Sequence, residues 1–246
     1  MQSILNISAY RFVALNDTAL WRESIRSQAS TFALKGTVLL AEEGINLVVA
    51  GAEPGVRAFT GWLTAHEPFA DLPLKESWSD AVPFGKLVVK VKPEIIRMNH
   101  PTIRPEAGRA PAVDAKTLAR WLAAGVDDAG REVVTLDTRN AFEVDHGRFK
   151  GAHDWRIARF SKFPQALRAH RAELEGKTVV SYCTGGIRCE KAALLMAQAG
   201  LQNVLQLEGG ILRYFEETGG QHFEGNCFVF DERGTLNDTL TPAAIV

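Results

Sequence analysis

The stretch Thr178-Val-Val-Ser-Tyr182-Cys183-Thr184-Gly185-Gly186-Ile187-Arg188-Cys189-Glu190 decides how this 246-residue chain is read. Thr178–Tyr182 is a short run of strand formers without polar alternation, the pattern of a strand buried on both faces of a parallel sheet. A cysteine follows the strand at once, two glycines follow the cysteine, and the spacing predicts a helix from about Arg188 to Ala199. In open parallel sheets ligands collect beyond the carboxyl ends of the strands, which is where Cys183 falls. Gly185 and Gly186 let successive backbone N–H groups turn inward as an anion-binding nest. The helix N-terminus adds a partial positive charge and Arg188 a full one. All three favour thiolate over thiol, which predicts a depressed pKa and a nucleophilic Cys183 at neutral pH.

Working outward, Val133–Leu136 and Val204–Leu207 read as further strands, with helical segments near 140–146 and 163–175 between them. Asp114 is placed to cap a helix over Ala115–Ala124. Alternation of strand and helix gives this half an α/β fold with a largely parallel sheet. Residues 98–112 (MNHPTIRPEAGRAPA) carry three prolines and few apolar residues and read as a linker. Ahead of it, Ile4–Val13 reads as a strand and Ala19–Ala33 as a helix behind an Asn16-Asp17-Thr18 cap. Two strands, Thr37–Ala41 and Ile45–Ala50, turn at Glu42-Glu43-Gly44, and a second helix follows Pro54. Strands at Leu72–Trp78 and Lys86–Val91 complete an α+β, ferredoxin-like order with one extra strand. The expected division is therefore 1–97, a linker 98–112, an α/β domain 113–220 and a C-terminal extension 221–246. In that extension Cys227–Phe230 is strand-like and the last dozen residues look frayed.

Composition narrows the class. With 46% apolar and 23% charged residues the chain is of ordinary globular make-up, and a net charge of −1 argues against a globally basic nucleic-acid binder. No run nears the ~18 apolar residues of a membrane span, and Met1–Asn6 lacks the start of a secretory signal. The three cysteines, 183, 189 and 227, include no C-x-x-C pair, so neither a disulfide framework nor a four-cysteine zinc site is expected. The six histidines show no metal-ligand spacing, and no bound cofactor is expected. A reducing cytoplasm is the expected compartment.

Cys183 to Arg188 is C-x4-R, one residue shorter than the C-x5-R loop with which cysteine phosphatases enclose a phosphate. A tighter ring of N–H groups suits a single extra sulfur on the cysteine, so a persulfide-carrying site is favoured. Here the chain resembles the rhodanese family. Asp137, Arg139, Glu143, Gly147, Gly151 and Ala152 follow that family's D-x-R-x-x-x-E-x-x-x-G-x-x-x-GA pattern, and Leu207-Glu-Gly-Gly-Ile-Leu-Arg-Tyr-Phe215 is similar to its closing Gly-Gly segment. Ala41-Glu-Glu-Gly-Ile-Asn46, the loop through Lys191, and Cys227-Phe-Val-Phe-Asp-Glu-Arg233 narrow the resemblance to the bacterial rhodanese-domain tRNA uridine hydroxylases. The chain ends soon after that last motif, where many members continue into a cysteine-rich tail. The resemblance implies an acylphosphatase-like first domain and a rhodanese-like second one. It further implies oxygen-dependent 5-hydroxylation of wobble uridine 34, with molecular oxygen as co-substrate and Cys183 as a persulfide-capable residue. The implied partner is tRNA at its anticodon region, with neither DNA nor a membrane. The loop alone serves a second reading equally well, a sulfurtransferase moving sulfane sulfur from thiosulfate or a similar donor to a thiol; a binding module without turnover is disfavoured by the presence of Cys183.

The loop residues Thr184, Gly185, Gly186, Ile187 and Arg188 make up the expected site around Cys183, with Asp137, Arg139 and Glu143 as a salt-bridged scaffold behind it. Arg188 keeps two readings, holding the substrate or bracing the loop through backbone carbonyls. Cys189 is read as packing rather than as a resolving thiol, and Cys227 as inert. From Arg148 to Arg171 seven basic residues stand against one acid, Asp154, with Phe149, Trp155, Phe160 and Phe163 interleaved. Together with the implied partner, this assigns Arg156, Arg159 and Lys162 to RNA, and strand alternation adds Lys86, Lys90 and Lys92 on one face.

Overall fold

The computed structural model describes residues 4–243. They form two compact units, one of residues 4–97 with Asp231–Arg233 and one of residues 98–230 with 234–243.

In the first unit the elements run β1 (Ile4–Phe12), α1 (Thr18–Thr31), β2 (Lys35–Ala41), β3 (Gly44–Ala52), α2 (Glu53–Thr64), β4 (Lys75–Ser79) and β5 (Leu87–Val91). The sheet order is β4-β1-β3-β2-β5, antiparallel except for the β2–β5 pair. This is the expected split βαβ order with the extra strand at one edge. Period-two alternation buries Leu5, Ile7 and Ala9 of β1 and Ile45, Leu47 and Val49 of β3 in one core with Ile25 of α1 and Phe59 of α2. Ala41 pairs with Gly44, which leaves Glu42-Glu43 as a two-residue hairpin loop. Glu43 then accepts the N–H of Ile95 at 2.7 Å and Asn46 donates to the Ile95 carbonyl at 3.3 Å, so the hairpin motif anchors the chain beyond β5. Asp17 stands at the N-cap of α1, as expected, but makes no side-chain cap bond. Its left-handed backbone (φ 51°) is not the extended conformation from which a cap side chain reaches the first free N–H groups.

The second unit begins with β6 (Ala112–Val113), α3 (Ala115–Ala124), β7 (Val133–Asp137), α4 (Ala141–Val144), β8 (Gly147–Phe149) and α5 (Phe163–His170). It continues with β9 (Thr178–Tyr182), α6 (Ile187–Gln198), β10 (Val204–Leu207), α7 (Gly210–Thr218) and β11 (Phe223–Gly225), and ends with β12 (Cys227–Phe228), β13 (Thr235–Leu236) and β14 (Pro242–Ala243). The main sheet, β6-β10-β9-β7, is parallel throughout, and all five residues of the interior strand β9 are buried. Asp114 caps α3 by accepting the Thr117 N–H at 2.8 Å. The proline-rich stretch 98–112 belongs to this unit and buries Met98, Ile103 and Ala110. The expected frayed tail is not seen over 235–243: β13 pairs with β12 and β14, and Thr235 and Leu236 are buried. The side chain of Asn237 accepts the N–H groups of Thr239 and Thr241, which closes the turn. Residues 244–246 lie outside the described residues. Among those described, no helix is long and apolar enough to cross a membrane.

Candidate active site

Cys183 leaves the carboxyl end of β9, and the loop it opens is fixed from both sides. The N–H groups of Ile211 and Leu212, in the first turn of α7, donate to the carbonyls of Cys183 (2.9 Å) and Thr184 (3.1 Å). Gly210 must be glycine for this approach. Its φ is +68°, and a Cβ there would lie 2.5 Å from the Cys183 carbonyl oxygen and 2.7 Å from the Gly186 nitrogen. With carbonyls turned to α7, loop N–H groups face the sulfur, and Gly186 N–H donates to Cys183 Sγ at 3.1 Å. Gly186, at φ +104°, is the N-cap of α6. Thr184, Gly185 and Ile187 are half-buried around it, and Thr184 Oγ1 reaches the Phe228 carbonyl at 3.4 Å.

Burial alone would raise the thiol pKa of Cys183, but it is held well below the ordinary value. The opposing groups are a hydrogen bond with the Cys189 thiol, the charge of Arg188, and the N–H groups of Cys189 and Arg188. Cys189 is fully buried, with its thiol 2.8 Å from the Gly186 carbonyl. Burial and the neighbouring Cys183 sulfur push it well up, so of the two thiols it is the one that keeps its proton. Its position three residues beyond Gly186, one turn into α6, is readable from the sequence; its contact with the Cys183 sulfur depends on the curl of the loop, which spacing alone does not show.

The scaffold residues form two buried ion pairs. Arg139 grips Asp137 through Nε (3.0 Å) and Nη2 (2.6 Å) and also donates to the Gly147 carbonyl at 2.6 Å. Arg188 makes a bidentate pair with Glu143 at 2.5 and 2.7 Å. Glu143 also accepts the Asn140 N–H at 3.0 Å, which fixes it at the start of α4. The guanidinium of Arg188 is thus turned to a carboxylate rather than to the loop carbonyls. A fully buried carboxylate needs such a partner, and the loop carbonyls already have α7.

The basic run looks different in space than in sequence. Lys86, Lys90 and Lys92 are exposed in the first unit, and Arg159 and Lys162 in the second. Arg156, expected with them, is exposed as well but paired with Asp145 (2.6 and 3.1 Å) and Asp154 (3.2 Å), so a phosphate would compete with two carboxylates for it. The interleaved rings also differ from expectation. Phe149, Phe160 and Phe163 are buried, and Trp155 stacks on His170 while its indole N–H donates to Glu173. The three phenylalanines serve the core rather than an RNA surface, while Trp155 stays half-buried.

Comparison with known proteins matches residues 4–95 to the UPF0176 acylphosphatase like domain and residues 118–217 to the rhodanese-like domain. A protein named tRNA uridine(34) hydroxylase from Bordetella avium is 64% identical over 98% of this chain and 99% of its own length. One of the same name from Variovorax paradoxus is 62% identical over 99% of this chain and 93% of its own length. A third, from Burkholderia pseudomallei, is 57% identical over 98% of this chain and 82% of its own length. These matches favour the hydroxylase reading over a plain sulfurtransferase. An acylphosphatase-like unit and a rhodanese-like unit in one chain, with such identity over nearly all of its length, place the protein in the tRNA uridine(34) hydroxylase family.

Proposed function

We propose that this chain hydroxylates C5 of uridine 34 in the anticodon of tRNA, in the cytoplasm, with molecular oxygen as co-substrate and Cys183 as its reactive group. The observation that carries the reading is the two-unit architecture, an acylphosphatase-like unit with a rhodanese-like one, shared at 57–64% identity over nearly the whole chain with proteins named tRNA uridine(34) hydroxylase. The loop adds Cys183, fully buried at the N-terminus of α6 with Gly186 N–H 3.1 Å from its sulfur and its pKa held down beside Cys189 and Arg188. Such a sulfur is nucleophilic at neutral pH and can carry a persulfide in the ring of N–H groups. Arg188 and Glu143 keep the positive charge beside it, while Asp137 and Arg139 hold β7 and α4 in place behind the loop. The exposed Lys86, Lys90, Lys92, Arg159 and Lys162 are cations for tRNA phosphates.

The test is nucleoside mass spectrometry of bulk tRNA from a host without its own uridine hydroxylases, with and without this chain. The reading expects 5-hydroxyuridine with the wild-type chain and none with Cys183→Ser. No new modification, together with thiosulfate-to-cyanide turnover by the pure protein, would overturn it in favour of a sulfurtransferase.

A further inference from the structure

The second unit carries a cluster of aromatic rings that neither the core nor the thiolate chemistry uses. Phe142 of α4 packs edge-to-face against Phe228 of β12 (centroids 5.3 Å apart) and against Phe230 (6.2 Å); Phe228 and Phe230 meet in the same way at 5.2 Å. His146 stacks on Phe228 at 5.4 Å. Phe230 is 62% exposed and Phe142 45%, although apolar rings are ordinarily driven out of water. The cluster adjoins the reactive loop at two points. The guanidinium carbon of Arg188 lies 6.0 Å from the Phe230 centroid, and the Phe228 carbonyl accepts from Thr184 Oγ1 at 3.4 Å.

Exposed ring faces fixed at 86–89° to one another, beside a guanidinium, fit a flat partner with π-faces better than a chain of aliphatic side chains. Unstacked nucleobases are recognised in this way, each gaining a stacking partner for the neighbour it lost. We propose that Phe230, backed by Phe142 and Phe228, is the stacking platform for an unpaired base of the anticodon loop, beside the reactive loop. This rests on the tRNA reading above. Phe230 and Phe142 are positioning residues here: they hold the base, and Cys183 acts on it.

The experiment titrates the full chain with an anticodon stem–loop RNA and with hairpins abasic at position 33, 34 or 35. Proteins are the wild type, Phe230→Leu, Phe230→Trp and, from a separate element, Phe142→Leu. The platform expects Phe230→Leu to weaken the hairpin about tenfold while Phe230→Trp binds as the wild type does. At one of the three positions, the abasic hairpin should cost the wild type about as much and cost the Leu variant nothing further. Melting temperatures report folding, and Phe142→Leu supplies the same cycle if Phe230→Leu does not fold. Wild-type affinity in the Leu variants, or abasic losses that add in full at all three positions, would overturn the platform. Formation of 5-hydroxyuridine by the wild type is scored in parallel. If the nucleoside is made but the Leu variants bind normally, the platform falls and the hydroxylase reading stands. If coupling is found without the nucleoside, the reverse holds.

Discussion

Cys183 and Cys227 sit in the same unit, both without solvent exposure, and ionise in opposite senses. Burial raises both. For Cys227 it wins, and the pKa rises to about 12, because the charge of Arg139 and the hydroxyl of Thr184 are too little to offset it, with Glu143 and Asp137 adding negative charge nearby. For Cys183 it loses to a ring of N–H groups, a thiol donor and Arg188. What separates a reactive from an inert cysteine here is therefore not depth but what surrounds the sulfur: the Cys189 thiol, the Arg188 charge and the backbone N–H groups aimed at it. Cys189 completes the comparison. It adjoins Cys183 and yet is pushed up, first by burial and then because two adjoining sulfurs cannot both carry charge.

The most severe way to break this contrast is to remove one sulfur at a time. Cys183→Ser should lower hydroxylation about 10³-fold or more, while Cys227→Ala leaves turnover per folded molecule within about twofold, as nucleoside mass spectrometry will show. Next is the charge behind the loop. Glu143→Gln buries Arg188 without its counter-ion and should cost about 3–5 kcal/mol in denaturant unfolding. Arg188→Met should move the alkylation midpoint of Cys183 upward, whereas Asp137→Asn, which breaks the other buried pair, should destabilise the fold with a smaller shift of that midpoint.

A third prediction sharpens the cysteine contrast directly. With iodoacetamide, Cys183 should react first, and its rate should level off at a lower pH than that of an ordinary thiol. Cys227, with a pKa of about 12, should still be gaining rate at alkaline pH. Equal rates for the two would show that the loop donors do not act as described. Cys189→Ala should raise the Cys183 midpoint and Cys189→Ser should restore much of it. The smallest effect lies at the far end of β9, where the Thr178 hydroxyl and the N–H groups of Arg131 and Ala129 lower Asp127 to about 2. A carboxylate held down in the fold contributes stability above its unfolded pKa and loses it as pH falls through the folded one. Wild-type melting temperature should therefore lose its advantage over Asp127→Asn between about pH 4 and pH 2.

Local pattern made β9, its cysteine loop and the following helix legible, because a five-residue apolar run and a two-glycine turn each have one physical reading. The strand order of the first unit was legible for the same reason, through alternation and the Glu42-Glu43 turn. Pairing between distant residues was not. The pairing of Arg156 with Asp145, eleven residues back and outside the basic run, is invisible to a charge count over Arg148–Arg171. Phe149, Phe160 and Phe163 looked available because composition does not tell which side of an irregular segment faces the core. The ring cluster escaped notice because Phe142 and Phe228 are far apart in the chain, and the run holding Cys227 read simply as an apolar strand. The clamp by α7 was hidden inside a Gly-Gly motif whose geometric purpose appears only when Gly210 meets the Cys183 carbonyl.

That clamp has a consequence for what the chain can tolerate. Two successive carbonyls of the loop are matched to two successive N–H groups of a helix that starts 27 residues after the cysteine, Ile211 to Cys183 and Leu212 to Thr184. The loop is thus measured against a ruler fixed elsewhere in the fold. Inserting one residue just after Cys183 would slip the match and leave a helix donor and a loop carbonyl unpaired, at about 1–3 kcal/mol for each buried group. Substitutions at the half-buried positions 184, 185 and 187 keep the count; an insertion does not. Substituting a side chain in the loop leaves this match in step, whereas changing the number of residues between Cys183 and Arg188 does not.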